Sequence, residues 1–324
     1  MDVADSENIT AFRRELHSRP ELSECEVQTS KAIAGRLALA NPDLIADGLG
    51  TMNTGICAVF DSGVPGPTVL LRAELDALPI EESNTFEHRS VVQGVSHKCG
   101  HDGHMATLLA VAEGLRAKPV EFGRVYLLFQ PAEETGTGAA AVIADERFQA
   151  LAPPDFVYAF HNVPKYPLGR VLIRDGLFAQ ASVGFIVQFH GTTSHSSYPE
   201  YGTNPSLAVT ELIAAVSSFD TGLADRVAAP ILGTISYAQL GVAEMGPNFG
   251  TTPGEACVMG VVRAHRSDDL ARVRVHLVEL TERLAAASGL SHELSWHEAF
   301  AATASSAECV SVVERAALEV ALTV

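Results

Sequence analysis

The chain has 324 residues, 47% of them hydrophobic and 19% charged, with a formal net charge of −17. That length accommodates two domains and a sizeable core, and the apolar fraction excludes an intrinsically disordered chain. The acidic balance excludes a nucleic-acid-binding surface, which needs a basic face, and no apolar run reaches the length of a membrane span. The opening Met1-Asp2-Val3-Ala4-Asp5 is acidic where a signal peptide is basic. Five scattered cysteines, an odd number, suit a reducing compartment. The expected location is the cytoplasm.

Residues 7–18 read as a helix, with Ile9, Phe12 and Leu16 on one face and Pro20 ending it. A second helix is expected over 21–39. Strand-like runs follow at 55–60 and 68–72, separated by the turn-forming Ser62-Gly63-Val64-Pro65-Gly66-Pro67. Arg72-Ala73-Glu74-Leu75-Asp76 places acids at the carboxyl end of the second run. Strand, loop and helix alternate through Arg174, the pattern of a mostly parallel sheet with helices on both faces. After Phe178 the order becomes strand 181–190, helix 204–219, strands 231–238 and 256–265, helix 267–288 and strand 291–297. That β-α-β-β-α-β order is the ferredoxin-like split arrangement. An amphipathic helix closes the chain over 305–322.

The chemistry concentrates in Ser96-His97-Lys98-Cys99-Gly100-His101-Asp102-Gly103-His104. A thiol and three imidazoles lie within a few residues, with glycines that let the backbone crowd round a small object. Thiolate and neutral imidazole are what zinc and similar borderline metals prefer. The run from Met105 to Arg116 reads as a helix, so the cluster enters a helix start, where unpaired N–H groups favour an anion. Two further sites follow apolar, strand-like runs: Pro131-Ala132-Glu133-Glu134 after Val125 to Phe129, and His161-Asn162 after Phe156 to Phe160. Ligands at the ends of successive strands of an α/β sheet converge on one crevice. A metal centre is the expected reading.

These stretches resemble the dinuclear metallo-amidohydrolases typified by hippurate hydrolase, bacterial N-acyl-amino-acid amidohydrolases and plant auxin-conjugate hydrolases, relatives of aminoacylase and the zinc carboxypeptidases. The resemblance runs through Phe12 to Leu22, Arg72 to Pro79, the CGHDGH run, Gln130 to Glu134 and His161-Asn162, in that order. It implies an α/β, zinc-peptidase-like catalytic domain in two parts, 1–177 and 301–324, around an inserted ferredoxin-like α+β lid and dimerisation domain, 178–300. It implies two divalent ions (zinc, manganese or cobalt) bridged by Cys99, with His101, Glu134 and His161 completing the coordination and Glu133 as general base. The reaction implied is hydrolysis of an N-acyl amino acid or similar small amide, by a homodimer.

In the inserted part, His190-Gly191-Thr192-Thr193-Ser194-His195-Ser196-Ser197-Tyr198-Pro199 is similar to the family's lid motif. By that likeness His195 polarises the scissile carbonyl across a dimer interface, and Asn248 and Arg263 grip the substrate's polar groups. The chain departs from the family at Glu74, where relatives carry Asp, and at Glu200, where they carry His. Relatives also continue past the helix equivalent to 305–322 into a segment with one more metal-binding histidine, whereas this sequence ends at Val324. The expectation drawn from that end is a second ion held weakly or not at all. The alternative function is an impaired relative that binds an amide or amino acid without turnover. A cysteine hydrolase pairing Cys99 with His101 ranks last, because two residues on one tight turn face each other poorly.

Overall fold

The computed structural model describes residues 3–218, 230–241 and 249–324. Chain contacts divide it into two compact units, residues 1–170 and 171–324.

The first unit holds a five-stranded sheet in the order β1-β2-β4-β3-β5, made of Leu44–Leu49, Gly55–Asp61, Thr68–Glu74, Arg124–Gln130 and Phe156–Ala159. β1 and β2 pair antiparallel, as do β2 and β4, while β4, β3 and β5 pair parallel. Four strands therefore run one way and β2 runs against them, a mostly parallel sheet. Its strands are apolar on both faces, as sheets sandwiched between helices must be. In β4, Leu127 and Phe129 enter the core beneath α1 (Val3–Ser18), α2 (Val27–Leu39) and α3 (His101–Ala117). Tyr126 and Leu128 enter the opposite core, with Val142 of α4 (Gly138–Ala144). A single turn, α5 (Glu146–Gln149), follows α4.

Two local features shape the entry to this sheet. α2 begins at Val27 rather than at residue 21, because Glu21 turns back and its carboxylate accepts the N–H groups of Gln28 and Thr29. The intervening turn needs Glu24 at φ +68°, a conformation costly for a side-chain-bearing residue. β1 carries no alternating pattern, since Gly48 (φ +66°) sits in a register shift between Asp47 and Leu49. No strand was therefore expected there.

The second unit is built on an antiparallel sheet ordered β10-β7-β9-β8. Its strands are Ala181–His190 (β7), Leu232–Leu240 (β8), Glu255–Ala264 (β9) and Ser291–Phe300 (β10). Numbered within the unit the order is 4-1-3-2, the ferredoxin-like arrangement read from the sequence. Helices α6 (Ser206–Ser217) and α7 (Ser267–Ser288) bury Leu212, Val216, Val273 and Leu277 with Phe185, Phe189 and Val258. Gly176–Ala179 (β6) and Thr303–Ser305 (β11) form a short ribbon, and α8 (Ala307–Glu319) starts at the capping hydroxyl of Ser306. By contacts residues 301–324 group with this second unit, so their assignment to the catalytic part rests on family resemblance alone.

Candidate metal centre

The parallel strands of the first unit end together. Glu74 of β3 lies opposite Gln130 of β4, and Arg72 opposite Ala159 of β5. The segments that follow, 75–79, 131–137 and 160–164, therefore leave the sheet along one edge, where α/β proteins build their sites. α3 begins at the same edge, at His101, four residues before the start its apolar pattern indicated.

Each of the two candidate-ligand histidines is held at one ring nitrogen by a backbone carbonyl. Nδ1 of the buried His101 donates to the Asp76 carbonyl oxygen at 2.8 Å, leaving Nε2 without a hydrogen-bond partner. Nδ1 of His161 donates to the Asn162 carbonyl oxygen at 2.8 Å, and its Nε2 lies 3.1 Å from the Cys99 sulfur. A backbone acceptor on one nitrogen fixes the ring and sends the other lone pair outward, the usual arrangement behind a metal-binding imidazole. Glu133 and Glu134 sit on the turn after β4, with carboxylate oxygens 3.7 and 3.8 Å from His101 Nε2. Asp76 helps to aim them: one carboxylate oxygen accepts the N–H of Glu134 at 2.9 Å and the Ser23 hydroxyl at 2.7 Å.

Three sets of side chains meet around His101, Cys99 with His161, Glu133 with Glu134 and Glu74 with His104, the candidate ligand atoms of each set lying within 4.8 Å of one another. The fit to a cation is physical. His101 Nε2 and Glu134 Oε1 are both buried and unpartnered, a costly state unless something positive lies between them. Their separation of 3.8 Å is less than twice a metal–ligand bond of about 2.0–2.2 Å. The local field is strongly negative. Burial disfavours a charged His101, yet the neighbouring Asp76 carboxylate, the Cys99 sulfur and the charge of Glu74 carry its pKa up to about 11. The Cys99 contact lifts His161 to about 9 against the opposing effect of burial. Burial, reinforced by the charge of Glu134, raises Glu133; burial likewise raises Glu134. Thiolate, imidazole and carboxylate together suit zinc, manganese or cobalt.

Behind these groups lies a layer of which the sequence marks Glu74 alone, as a departure from the family. His104, one turn after His101, bonds Glu74 through Nδ1 at 2.7 Å and the Asn162 side-chain oxygen through Nε2 at 2.7 Å. Arg72 bonds Glu74 and the Gln130 side-chain oxygen. Burial pushes Glu74 up, but the His104 hydrogen bond and Arg72's charge prevail and hold it below the usual carboxylate range. The available signal was the third histidine of the motif, three residues from His101 on a helix.

Gly100 joins the two sides of the site. Its φ is +102°, and a Cβ there would lie 2.3 Å from the Asn162 side-chain oxygen. Gly100→Ala is expected to cost about 1–3 kcal/mol in stability and to weaken metal binding by displacing Asn162 and His161. Denaturant unfolding and metal calorimetry on the purified variant check both effects.

The remaining site expectations fall in the second unit. His195 is exposed, and its Nδ1 accepts the Ser197 N–H at 3.1 Å. Arg263 is exposed on β9, without an ion pair among the described residues. Asn248 lies outside the described residues.

The sequence pattern of peptidase family M20/M25/M40 matches residues 70–323. N-acetyl-L-cysteine deacetylase of Bacillus subtilis (strain 168) is 32% identical over 290 residues, spanning 89% of this chain and 67% of that protein. Hippurate hydrolase of Campylobacter jejuni is 27% identical over 308 residues, spanning 95% and 78%. Among solved structures, the Bacillus subtilis YXEP protein, described as a dinuclear metal binding peptidase from the M20 family, superposes with a TM-score of 0.75 at 26% identity, covering 99% of this chain and 82% of that one. A matched pattern over most of the chain, a relative above 30% identity and a common fold agree: the chain belongs to peptidase family M20/M25/M40.

Proposed function

We propose that the protein hydrolyses the amide bond of N-acyl amino acids or similar small linear amides, with Glu133 as the general base. The observation that carries this reading is the placement of Glu133. Its carboxylate is partly open and lies 3.7 Å from the unpartnered nitrogen of a histidine held in ligand orientation. Cys99, His101, Glu134 and His161 are the residues that would hold divalent metal. Such an ion supplies Lewis acidity, which makes water a competent nucleophile at neutral pH. Glu133 takes the proton from the attacking water and passes it to the departing nitrogen. A carboxylate raised by burial is suited to both halves of that transfer. The substrate class is supported by the names of the two curated relatives, one a deacetylase of N-acetyl-L-cysteine and the other a hippurate hydrolase.

The test is turnover of N-acetylcysteine and hippurate by the metal-loaded protein, with and without chelator. Chelator-sensitive release of the amino acid supports the reading, and ligand binding without release from fully loaded protein marks the impaired relative. Turnover that survives chelation but stops on thiol alkylation would instead assign the chemistry to Cys99 and His161, whose Sγ and Nε2 atoms are 3.1 Å apart.

His195 is given the role of polarising the scissile carbonyl in a neighbouring subunit of a homodimer, and Asn248 and Arg263 that of holding the substrate's polar groups. No helix among the described residues is long and apolar enough to cross a membrane; the proposed setting is the cytoplasm. Mixing inactive His195→Ala with inactive Glu133→Gln subunits is expected to restore activity in heterodimers, up to about a quarter to a half of wild type when one intact site forms per pair. Verified heterodimers without activity would remove the cross-subunit role.

A further inference from the structure

Glu26 is fully buried at the start of α2, and no ion pair with it is found among the described residues. An unpaired buried carboxylate is costly unless donors surround it, and burial raises its pKa. The donors it has gathered come from three separate places. One oxygen accepts the N–H of Ala132 at 2.7 Å and that of Glu24 at 3.1 Å, and the other accepts the Thr54 hydroxyl at 3.0 Å. The Ala132 bond links positions 106 residues apart in the chain.

Ala132 is the residue that needs such a hold. It adopts φ +47°, left-handed backbone on a side-chain-bearing residue, which persists only where its surroundings enforce it. The same turn closes on itself through the N–H of Gly136 to the Glu133 carbonyl at 2.8 Å and the N–H of Gly138 to the Ala132 carbonyl at 3.0 Å. The approach is so close that a Cβ on Gly138 would sit 1.6 Å from the Pro131 carbonyl oxygen. Glu133 is thereby bracketed. The N–H before it, on Ala132, is held by Glu26, and the N–H after it, on Glu134, is held by Asp76. Ser23 bonds Asp76 and Glu24 bonds Thr137 at 3.3 Å, so the segment before α2 laces the turn to the end of β3.

We propose that Glu26 is a positioning residue of the hydrolytic site: its buried carboxylate holds the Ala132 N–H and so fixes the turn that aims Glu133 and Glu134. This rests on the roles given above to those two glutamates. Glu26 does not touch the substrate; it acts through the backbone.

The experiment compares Glu26→Ala and Glu26→Gln with the wild-type chain. Two readouts are taken: kcat and KM per bound metal on an N-acyl amino acid, and amide hydrogen exchange of peptides covering 131–137 in the metal-free protein. Glu26→Ala is expected to lower kcat about 10–100-fold with KM changed less than about threefold, since a small misplacement of a catalytic group costs that much. Exchange at 131–137 is expected to accelerate at least about tenfold, from the loss of a hydrogen bond to a charged group. Glu26→Gln keeps an oxygen for Ala132, and the Thr54 hydroxyl can reverse to accept. It should recover all but about threefold of kcat. If Glu26→Ala does not fold, Glu26→Asp, with the same charge and one methylene less reach, replaces it with the same expected directions. Unchanged exchange at 131–137, or kcat per folded protein within about twofold of wild type, would overturn the proposal. A wild-type protein without turnover would overturn the hydrolase reading, while the exchange measurement would still decide whether Glu26 holds the turn.

Discussion

Glu133→Gln is expected to keep metal content near wild type and to lose about 10²–10⁴-fold in kcat, the range for removal of a general base. Glu134→Gln is expected to do the opposite first: metal content falls, and activity falls with it until excess metal is supplied. The distinction follows from placement. Glu134 Oε1 is buried, unpartnered and 3.8 Å from His101 Nε2, and the backbone of Glu134 is tied to Asp76. Glu133 carries no such tie and is the more exposed of the two side chains. The pH profile adds a second signature. In the metal-free protein burial and the charge of Glu134 raise Glu133, and a bound cation would act against that rise. A base works deprotonated, so activity should fall as pH drops through the Glu133 pKa of the loaded enzyme. This limb should be absent from the residual activity of Glu133→Gln. Metal analysis and pH–rate profiles on both variants measure these effects, and a reversed pattern would exchange the two roles.

Glu133, Glu134 and His161 stand out in the sequence as candidate ligands because each follows an apolar strand, and Cys99 and His101 because they share one short motif at a helix start. Glu74, Gln130 and Ala159 close three parallel strands at one edge, and Cys99, Glu133, Glu134 and His161 occupy the segments that pack there. The second unit was legible for another reason: local signals punctuate it. α7 spans 267–288 as read, opened by Ser267-Asp268-Asp269 and stopped by Gly289 at φ +63°. What escaped was set by contacts between distant positions. β1 is made a strand by β2, despite its own Asp47-Gly48. Glu26 reads as an ordinary charged residue on a helix, and its purpose lies in a hydrogen bond to Ala132. His104 looks like a third ligand in the CGHDGH run. Its two nitrogens are instead engaged by Glu74 and Asn162, which makes it a support for His161. Periodicity and motif spacing carry no record of partners that the fold brings together from so far apart.

Metal binding is expected to release protons and to strengthen steeply with pH. In the metal-free protein the negative surroundings hold His101 at about 11 and His161 at about 9. Both imidazoles are therefore protonated at pH 7, whereas an imidazole that ligates a metal must be neutral. Loading the site at pH 7 should expel at least about two protons, one from each ring together with any that the Cys99 thiol carries, and the rings alone should raise apparent affinity about 100-fold per pH unit while both remain charged. Above the His161 value the contribution of the rings should fall to about tenfold per unit, with only His101 of the two still to be deprotonated. Stability carries the same sign. A pKa raised on folding stabilises the metal-free protein fully below the unfolded value of 6.5, and that contribution is lost as pH rises through about 9 for His161 and about 11 for His101. The metal-free melting temperature should thus decline across this range while that of the loaded protein does not. Calorimetry in two buffers of different ionisation enthalpy counts the protons directly. Release of fewer than about one proton at pH 7 would mean that the imidazoles are already neutral, and that the site is less negative than the contacts around His101 require.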